Sequence, residues 1–252
     1  MKSEAYSQAF TVIAPYYDTL MSFINYPSWV SYIYTILTLN NIKEKTILDL
    51  ACGTGVCLEL WWKRGYTVFG LDRSMAMLEM CRSRFCRLSD GHVHLINGDL
   101  RNFVLAKKLP IVTCLYDSLN YLSSEEDMMR CFRNVYETLD TQGIFIFDMN
   151  TIHCLRDEWG NSTFHRQDGD IHSVWVNHFE PERAISSLEL TLHIRKDGTV
   201  KTMCETHQER GYPLSTVTTL LAQAGFKSSL YRHLTFRPAE ESDLRIMAVA
   251  RK

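Results

Sequence analysis

The sequence predicts an α/β protein in which helices cover both faces of a mostly parallel sheet, with an antiparallel element inserted late in the chain. Three observations predict it. From Thr46 to Asn150 short apolar runs alternate with longer amphipathic stretches, as strand–helix repeats do when they build a parallel sheet. After Asn150 the period changes: Leu188, Leu190, Leu192 and Ile194 alternate with Glu189, Thr191, His193 and Arg195, which marks strands buried on one face. The length of 252 residues, with 46% hydrophobic and 22% charged residues, fits one large domain carrying a substantial insertion.

Taken in order, the first 45 or so residues read as helices preceding the sheet. Thr46 to Leu50 is a buried strand, followed by a Gly-containing turn and a helix through Cys57 to Trp62 that ends at Gly65. Thr67 to Asp72 is a second strand, and Ser74 caps the helix through Met77, Leu78 and Cys81. His92 to Ile96 and Ile111 to Tyr116 are the third and fourth strands. A helix opened by Ser123-Ser124-Glu125-Glu126 runs to Leu139, and Ile144 to Asp148 is the fifth strand. Residues 151–212 form the antiparallel insertion, with a strand at Val174-Trp175-Val176 and a hairpin at Asp197-Gly198 between Leu188–Ile194 and Val200–Arg210. A helix from about Leu214 to Ala224 and two strands, Ser228 to Phe236 and Leu244 to Arg251, close the chain.

The formal net charge of −2 offers no whole-molecule attraction to phosphate backbones, so nucleic acid is not an expected partner. Arg82, Arg84 and Arg87 form a local basic cluster that reads as a solvated helix face. The eight cysteines include no CxxC pair and no zinc-ligand spacing, so no metal is expected. No signal peptide and no membrane-length apolar run is visible, and the expectation is a reduced, cytoplasmic protein.

The chemistry concentrates at the ends of the first strands. Asp49 precedes the turn Ala51-Cys52-Gly53-Thr54-Gly55, where glycines let a ligand approach the main chain. Asp72 ends the second strand, where a carboxylate can accept hydrogen bonds from both ribose hydroxyls of an adenosine group. Asp99, in Asn97-Gly98-Asp99-Leu100, follows the third strand and suits the adenine amino group. A dinucleotide site requires GxGxxG so that a helix amino terminus meets the pyrophosphate, but Leu58 occupies the third glycine position. Asp49 would repel a pyrophosphate and favour a cationic ligand. The charges therefore point to S-adenosylmethionine, which carries a sulfonium and an ammonium and no phosphate.

Ile47 to Gly55 resembles motif I of the class I S-adenosylmethionine-dependent methyltransferases. Asp72, Asn97 to Leu100 and Gln142 to Asp148 resemble the later motifs in the right order. Phe10 through Tyr17-Asp18 is similar to the family's amino-terminal segment, and Glu205-x-His207-x-Glu209-Arg210 with Ala224-Gly225-Phe226 to its closing one. The nearest subgroup is the small bacterial and archaeal enzymes that include amino-sugar N,N-dimethyltransferases. One departure is Leu109-Pro110, where the fourth strand usually begins Phe-Asp. The resemblance implies a Rossmann-like seven-stranded sheet, with the insertion covering the substrate cleft. Residues 1–45, through Tyr16-Tyr17-Asp18, Trp29 and Tyr32, read equally as a helical lid and as helices packing on the sheet. The resemblance also implies that Tyr17 reaches the cofactor, that Gly53 and Gly55 pass under its methionine portion, that Asp72 holds ribose and that Asp99 holds adenine. Asp49, Ala51, Cys52, Arg73, Met77, Gly98, Leu100, Leu115, Tyr116 and Ser118 complete the expected cofactor wall.

Methyl transfer is an in-line displacement at an activated carbon, so alignment carries much of the catalysis. A base is required only for poorly acidic nucleophiles. The segment Leu115 to Tyr121 lacks the [DNS]-Pro-Pro-aromatic motif of nucleic-acid amino-methyltransferases and the Pro-Cys nucleophile of cytosine-C5 enzymes. The expected partner is a small-molecule methyl acceptor, modified on N or O, with S-adenosylhomocysteine as co-product. Cleft candidates are Tyr121, Asn150, His153, Trp175, His207 and Arg210, with Tyr121, Asn150 and His207 as the catalytic candidates. Asn150 reads equally as a turn residue, Trp175 and His207 as packing, and Arg210 as a partner of Glu209 or Glu205. Two alternatives stand beside this reading: an inactive module that binds S-adenosylmethionine or S-adenosylhomocysteine, and an NAD(P)-dependent oxidoreductase. Monomer and homodimer are both compatible with the sequence.

Overall fold

The computed structural model describes residues 9–86 and 91–252. Its central strands are β1 (Thr46–Leu50), β2 (Thr67–Asp72), β3 (Val93–Asn97), β4 (Leu109–Cys114) and β5 (Leu139–Asn150), paired in parallel in the order β3-β2-β1-β4-β5. Both faces are covered, so Ile47 and Leu48 of β1 and Ile144 to Phe147 of β5 are consecutive buried apolar residues. Successive residues point to opposite faces. Ile47, Ile111, Ile144 and Ile146 pack with Trp29, Trp61 and Leu78. Leu48, Val112, Phe145 and Phe147 pack with Phe132, Val135 and Leu221. Truncating a core ring such as Phe147 to alanine costs about 3–5 kcal/mol.

The helices that supply these faces are α1 (Tyr17–Leu20), α2 (Tyr26–Leu39), α3 (Val56–Trp62), α4 (Met75–Phe85), α5 (Glu125–Thr138) and α6 (Leu214–Gln223). Ser74 Oγ accepts the Met77 amide at 3.2 Å and Ser124 Oγ the Asp127 amide at 3.1 Å, so each satisfies an otherwise orphaned amino-terminal donor. Gly65, at φ +78°, allows the turn from α3 into β2. No helix among the described residues is long and apolar enough to cross a membrane.

The remaining strands are β6 (Thr163–Asp168), β7 (Ile171–Glu180), β8 (Ile185–Lys196), β9 (Thr199–Arg210), β10 (Lys227–Arg232) and β11 (Arg245–Arg251). β11 lies antiparallel between β5 and β10 and completes a seven-stranded sheet; β6 to β9 form a separate antiparallel sheet in sequence order. Asp197 and Gly198, both left-handed, make the predicted tight turn between β8 and β9. The inner face of this second sheet, through Ile171, Leu190, Leu192 and Ile194, packs on Ile13, Leu20 and Met21 of the amino-terminal segment.

Several boundaries differ from the sequence reading. β10 stops at Arg232 because a turn at His233 and Leu234 sends the chain back along it, where Pro238 bridges Tyr231. β6 was not foreseen. The departure at Leu109-Pro110 appears as a register shift between Leu109 and Ile111, since proline has no amide hydrogen for the ladder. Arg87 lies outside the described residues, and Arg84 is no solvated residue. Its guanidinium donates to Thr54 O, Glu59 and Asp18, tying α4 to the glycine turn, α3 and α1.

Candidate functional site

The carboxyl ends of β1, β2, β3 and β4 open into a cavity of about 240 Å³ roofed by residues 10–21 and the second sheet. At one end the glycine turn provides the floor. Ala51, Gly53 and Gly55 are all left-handed, at φ +53°, +55° and +82°. A Cβ built at Gly53 would meet nothing within 4 Å, so the turn presents bare main chain to open space. Thr54 Oγ1 donates to Asp18 at 2.5 Å, which pins α1 over this turn.

Asp72 is anchored by the Gly53 amide on one oxygen and the Ser74 amide on the other, each at 2.8 Å. A carboxylate offers roughly four acceptor sites, so capacity for a ligand remains. Burial raises its pKa, although the Ser74 and Gly53 amides work against that. Asp49 is buried at the foot of the turn and accepts from Thr113 Oγ1 at 2.7 Å. Desolvation pushes its pKa from 3.8 to about 7 despite that bond. Asn97 donates to Asp72 O and Arg73 O, locking the ends of β2 and β3 together. Asp99 lies beside Gly98 and Leu100 on the wall, in a two-pronged ion pair with Arg101 that holds its pKa below the ordinary value.

The other end is aromatic and acidic. Tyr17, Tyr26, Tyr116, Tyr121, Trp159 and Trp175 contribute to it together with Asp117, His207 and Glu209. Tyr116 and Asp117 are consecutive left-handed residues, at φ +61° and +52°, a conformation costing each about 1 kcal/mol or more. Asp148, at the end of β5, supports this strained turn: its oxygens accept the Tyr116 amide at 2.5 Å and the Asp117 amide at 3.0 Å. Arg245, from the start of β11, pairs with Asp148 and lies 3.2 Å from Asp117, and its guanidinium sits over the Trp29 and Tyr116 rings. Burial raises Asp148 to about 6, partly offset by Arg245, and pushes Glu209 well above its ordinary value with Asp117 adding to the rise.

On β9, Glu205, His207 and Glu209 alternate onto one face, as strand geometry requires. Glu205 is fully buried and accepts the amides of Phe10, Thr11, Val12 and Ile13 at 2.5–3.0 Å. His207 Nε2 lies 3.3 Å from Glu205 Oε2, and His207 Nδ1 lies 3.0 Å from the Tyr121 hydroxyl. Burial pushes the Glu205 carboxyl up, but the neighbouring His207 imidazole and the Ile13 and Phe10 amides outweigh it and leave its pKa lowered.

Of the residues singled out in sequence, the cavity wall contains Tyr17, Asp49, Ala51, Cys52, Gly53, Asp72, Arg73, Met77, Gly98, Asp99, Leu100, Leu115, Tyr116, Ser118, Tyr121, Trp175 and His207. Gly55 is absent from that wall: its Cα faces α4, where a Cβ would stand 2.4 Å from Cys81 Sγ, so its glycine serves helix packing. Asn150 is also behind the wall. Its amide nitrogen is taken up by Asp117 and Glu209, each at 3.0 Å, so it orients them. His153 pairs with Asp157 away from the cavity. Arg210 pairs with neither Glu205 nor Glu209; it donates to Ser123 O and stacks on Tyr212. Trp29 and Tyr32 pack on the parallel sheet. Sequence reasoning gave no site role to Asp117, Asp148, Glu205, Glu209 or Arg245. The two-residue spacing of Glu205 and Glu209 about His207 was the available signal, because it puts three polar groups on the inward face of a strand.

A family model for a methyltransferase domain matches residues 47–143. Fold, glycine turn and acidic strand ends, together with this match and the relatives below, make the chain an S-adenosylmethionine-dependent methyltransferase. In particular, it is 28% identical over 215 residues to the protein YqeM of Bacillus subtilis (strain 168), covering 85% of each chain. The crystal structure of an S-adenosylmethionine-dependent methyltransferase from Clostridium acetobutylicum superposes with a TM-score of 0.85 at 27% identity, covering 95% of this chain and 97% of that one. The dTDP-3-amino-3,4,6-trideoxy-α-D-glucopyranose N,N-dimethyltransferase of Streptomyces venezuelae is 29% identical over 146 residues, covering 58% of this chain and 60% of that one.

Proposed function

We propose that this enzyme methylates the nitrogen of a small-molecule amine. The observation that carries this reading is the charge balance at the aromatic end of the cavity. Asp117, Asp148 and Glu209 surround the single guanidinium of Arg245, which is already paired with the first two. Even with Glu209 protonated, the cluster carries an excess negative charge. Tyrosine and tryptophan rings complete the wall, and a carboxylate beside aromatic faces favours a cation over an anion. The amino-sugar acceptor named for the Streptomyces venezuelae relative is an amine as well.

The cofactor end fits S-adenosylmethionine. Gly53 leaves room beside the main chain, Asp49 and Asp72 supply negative charge where no basic phosphate cradle exists, and Asp72 is pre-oriented by two amides. In this reading Asp72 receives the ribose hydroxyls, Asp99 with Gly98 and Leu100 the adenine, and Ala51 to Gly53 the methionine portion. Asp49 faces its cationic groups. Tyr17, Arg73, Met77, Leu115, Tyr116 and Ser118 flank these positions. The bound group supplies an electrophilic methyl, and the chain's own residues hold the acceptor in line and exclude water. Asp117 and Glu209 attract the ammonium, Asn150 orients both carboxyls, and Asp148 with Arg245 fixes the strained turn that presents Tyr116 and Asp117.

Calorimetric titration with S-adenosylhomocysteine and with NADH tests the cofactor assignment; binding of NADH alone would overturn it. Release of S-adenosylhomocysteine over a metabolite panel tests the acceptor assignment, with amines as the expected hits and turnover confined to alcohols or carbon acids as the contrary result.

A further inference from the structure

We infer that Tyr121, His207 and Glu205 form a proton relay that takes the acceptor's proton before methyl transfer. The inference rests on the amine reading of the same cavity and adds how the amine is made nucleophilic. At neutral pH an aliphatic amine arrives as an ammonium, which has no lone pair to attack with. Of the carboxyls that attract it, Asp117 is paired with Arg245, and Glu209 accepts from the Asn150 amide and is pushed well above its ordinary value by burial and Asp117. The relay is the other proton acceptor on the wall.

Its geometry sets the direction of transfer. Glu205 is an acceptor-only carboxylate under four main-chain amides, so the imidazole nitrogen facing it, Nε2, carries hydrogen. Nδ1 is then the free acceptor, 3.0 Å from the Tyr121 hydroxyl, which donates to it. Tyr121 lines the cavity. Phe10, left-handed at φ +63°, packs its ring 4.9 Å from His207 and 5.2 Å from Tyr121 and shields the pair from water.

One N–H proton of the ammonium passes to Tyr121 Oη while the Tyr121 hydroxyl proton passes to His207 Nδ1, leaving a neutral amine with its lone pair. That pair forms the new N–C bond as the S–C bond of the donor breaks, its electrons staying on sulfur. The imidazolium left behind is paired with Glu205, and its proton returns to solvent between turnovers. Tyr121 is the catalytic residue of this step because it touches the acceptor. His207 receives the proton through it, and Glu205 is a positioning residue.

The charged and titratable groups facing His207 are few. On β9 they are Glu205 and Glu209, and across the strand pair its partner is the uncharged Leu188. Tyr121 faces it from the turn after β4, and Arg73 after β2 acts on Tyr121. Glu205 is the nearest charge.

The test reads by nitrogen-15 NMR, in histidine-labelled protein, which ring nitrogen of His207 carries hydrogen, its signal assigned by loss in His207→Gln. Nε2 should carry it and Nδ1 should be the bare acceptor, and Glu205→Gln should lower kcat at least about tenfold. Hydrogen on Nδ1, or a Glu205→Gln variant that loses thermal stability or S-adenosylhomocysteine affinity with kcat unchanged, overturns the relay. Tyr121→Phe leaves Glu205 and its amides untouched and decides the matter if Glu205→Gln fails to fold. It should lower kcat at least about 100-fold with the S-adenosylhomocysteine dissociation constant within about twofold. A loss of kcat below about tenfold overturns the inference. The nitrogen-15 measurement needs no acceptor, so a relay that passes it while amines go unmethylated would indict the acceptor assignment and not the relay.

Discussion

Asp49 offers the sharpest quantitative prediction. It is fully buried at the foot of the glycine turn, with Thr113 as its one hydrogen-bond donor among the described residues, and desolvation lifts its pKa from 3.8 to about 7. A cationic donor of methyl groups binds the ionised form. With a midpoint near 7, about one-tenth of the molecules are ionised near pH 6 and about nine-tenths near pH 8, so affinity for S-adenosylmethionine should fall roughly tenfold as pH drops over that interval. Binding near pH 6 should release close to one proton. Calorimetry in two buffers of different ionisation enthalpy measures both quantities. Asp49→Asn should bind at least about tenfold more weakly near pH 8, by loss of a charged partner worth about 1.5–3 kcal/mol, and its affinity should lose most of the pH dependence. The sign for stability is opposite. A carboxyl whose folded pKa lies above its unfolded one contributes stability that is full below the unfolded value and lost as pH rises through about 7. The difference of about three pH units corresponds to about 4 kcal/mol at most. For a chain of 252 residues with an unfolding entropy of about 2.1 cal/mol/K per residue, Asp49→Asn should melt up to about 8 °C higher than the wild type near pH 8. A flat affinity profile in the wild type, or the same slope in Asp49→Asn, would rule out a titrating Asp49 as the partner of the cation.

Other perturbations follow from the same geometry. Asp72→Ala should weaken S-adenosylhomocysteine binding at least about tenfold by calorimetry, through loss of a charged acceptor worth about 1.5–3 kcal/mol. Glu205→Ala leaves the amides of residues 10–13 without their acceptor, so their hydrogen exchange should accelerate at least about tenfold while that of β1 and β4 barely changes. Because the Glu205 pKa is lowered in the fold, its contribution is present above the unfolded value and lost as pH falls through the folded one, so wild type and Glu205→Ala should converge in melting temperature in acid. Gly55→Ala puts a Cβ 2.4 Å from Cys81 Sγ at a left-handed position, and melting should show a loss of about 2 kcal/mol or more that Cys81→Ala partly restores.

The parallel sheet and the glycine-turn end of the cavity were legible because the strands are short and apolar and β1, β2 and β3 lead straight into glycines or carboxylates. Asp49, Asp72 and Asp99 stand at strand ends that hydropathy alone locates, and Ser74 and Ser124 announce their helices by capping. β6 escaped because Thr163 to Asp168 is polar and its strand lies at a sheet edge with little buried surface. Its hairpin signal, Asp168-Gly169, was present, and Gly169 is left-handed in the structure. The acceptor end was harder to read for a different reason. Asp117, Asp148, Glu209 and Arg245 come from four separate segments and meet only through tertiary packing, which periodicity does not report. Asn150 was found near the right place and given the wrong part: it follows β5 as expected, yet its amide is spent on two carboxyls behind the wall. Arg84 looked like a solvated residue because helix periodicity cannot show that Asp18 and Glu59 lie within reach of it.

The function proposed for this enzyme turns on whether the acidic, aromatic end of the cavity selects an amine. Its most direct measurement is transfer of an isotopically labelled methyl group from S-adenosylmethionine to matched pairs of small molecules that differ only in carrying an amino group or a hydroxyl. Mass spectrometry and NMR then locate the label. Label is expected on nitrogen in the amine members, with Asp117→Asn raising KM for those amines, and none on their alcohol partners. Label on oxygen or carbon with the amines untouched would contradict it.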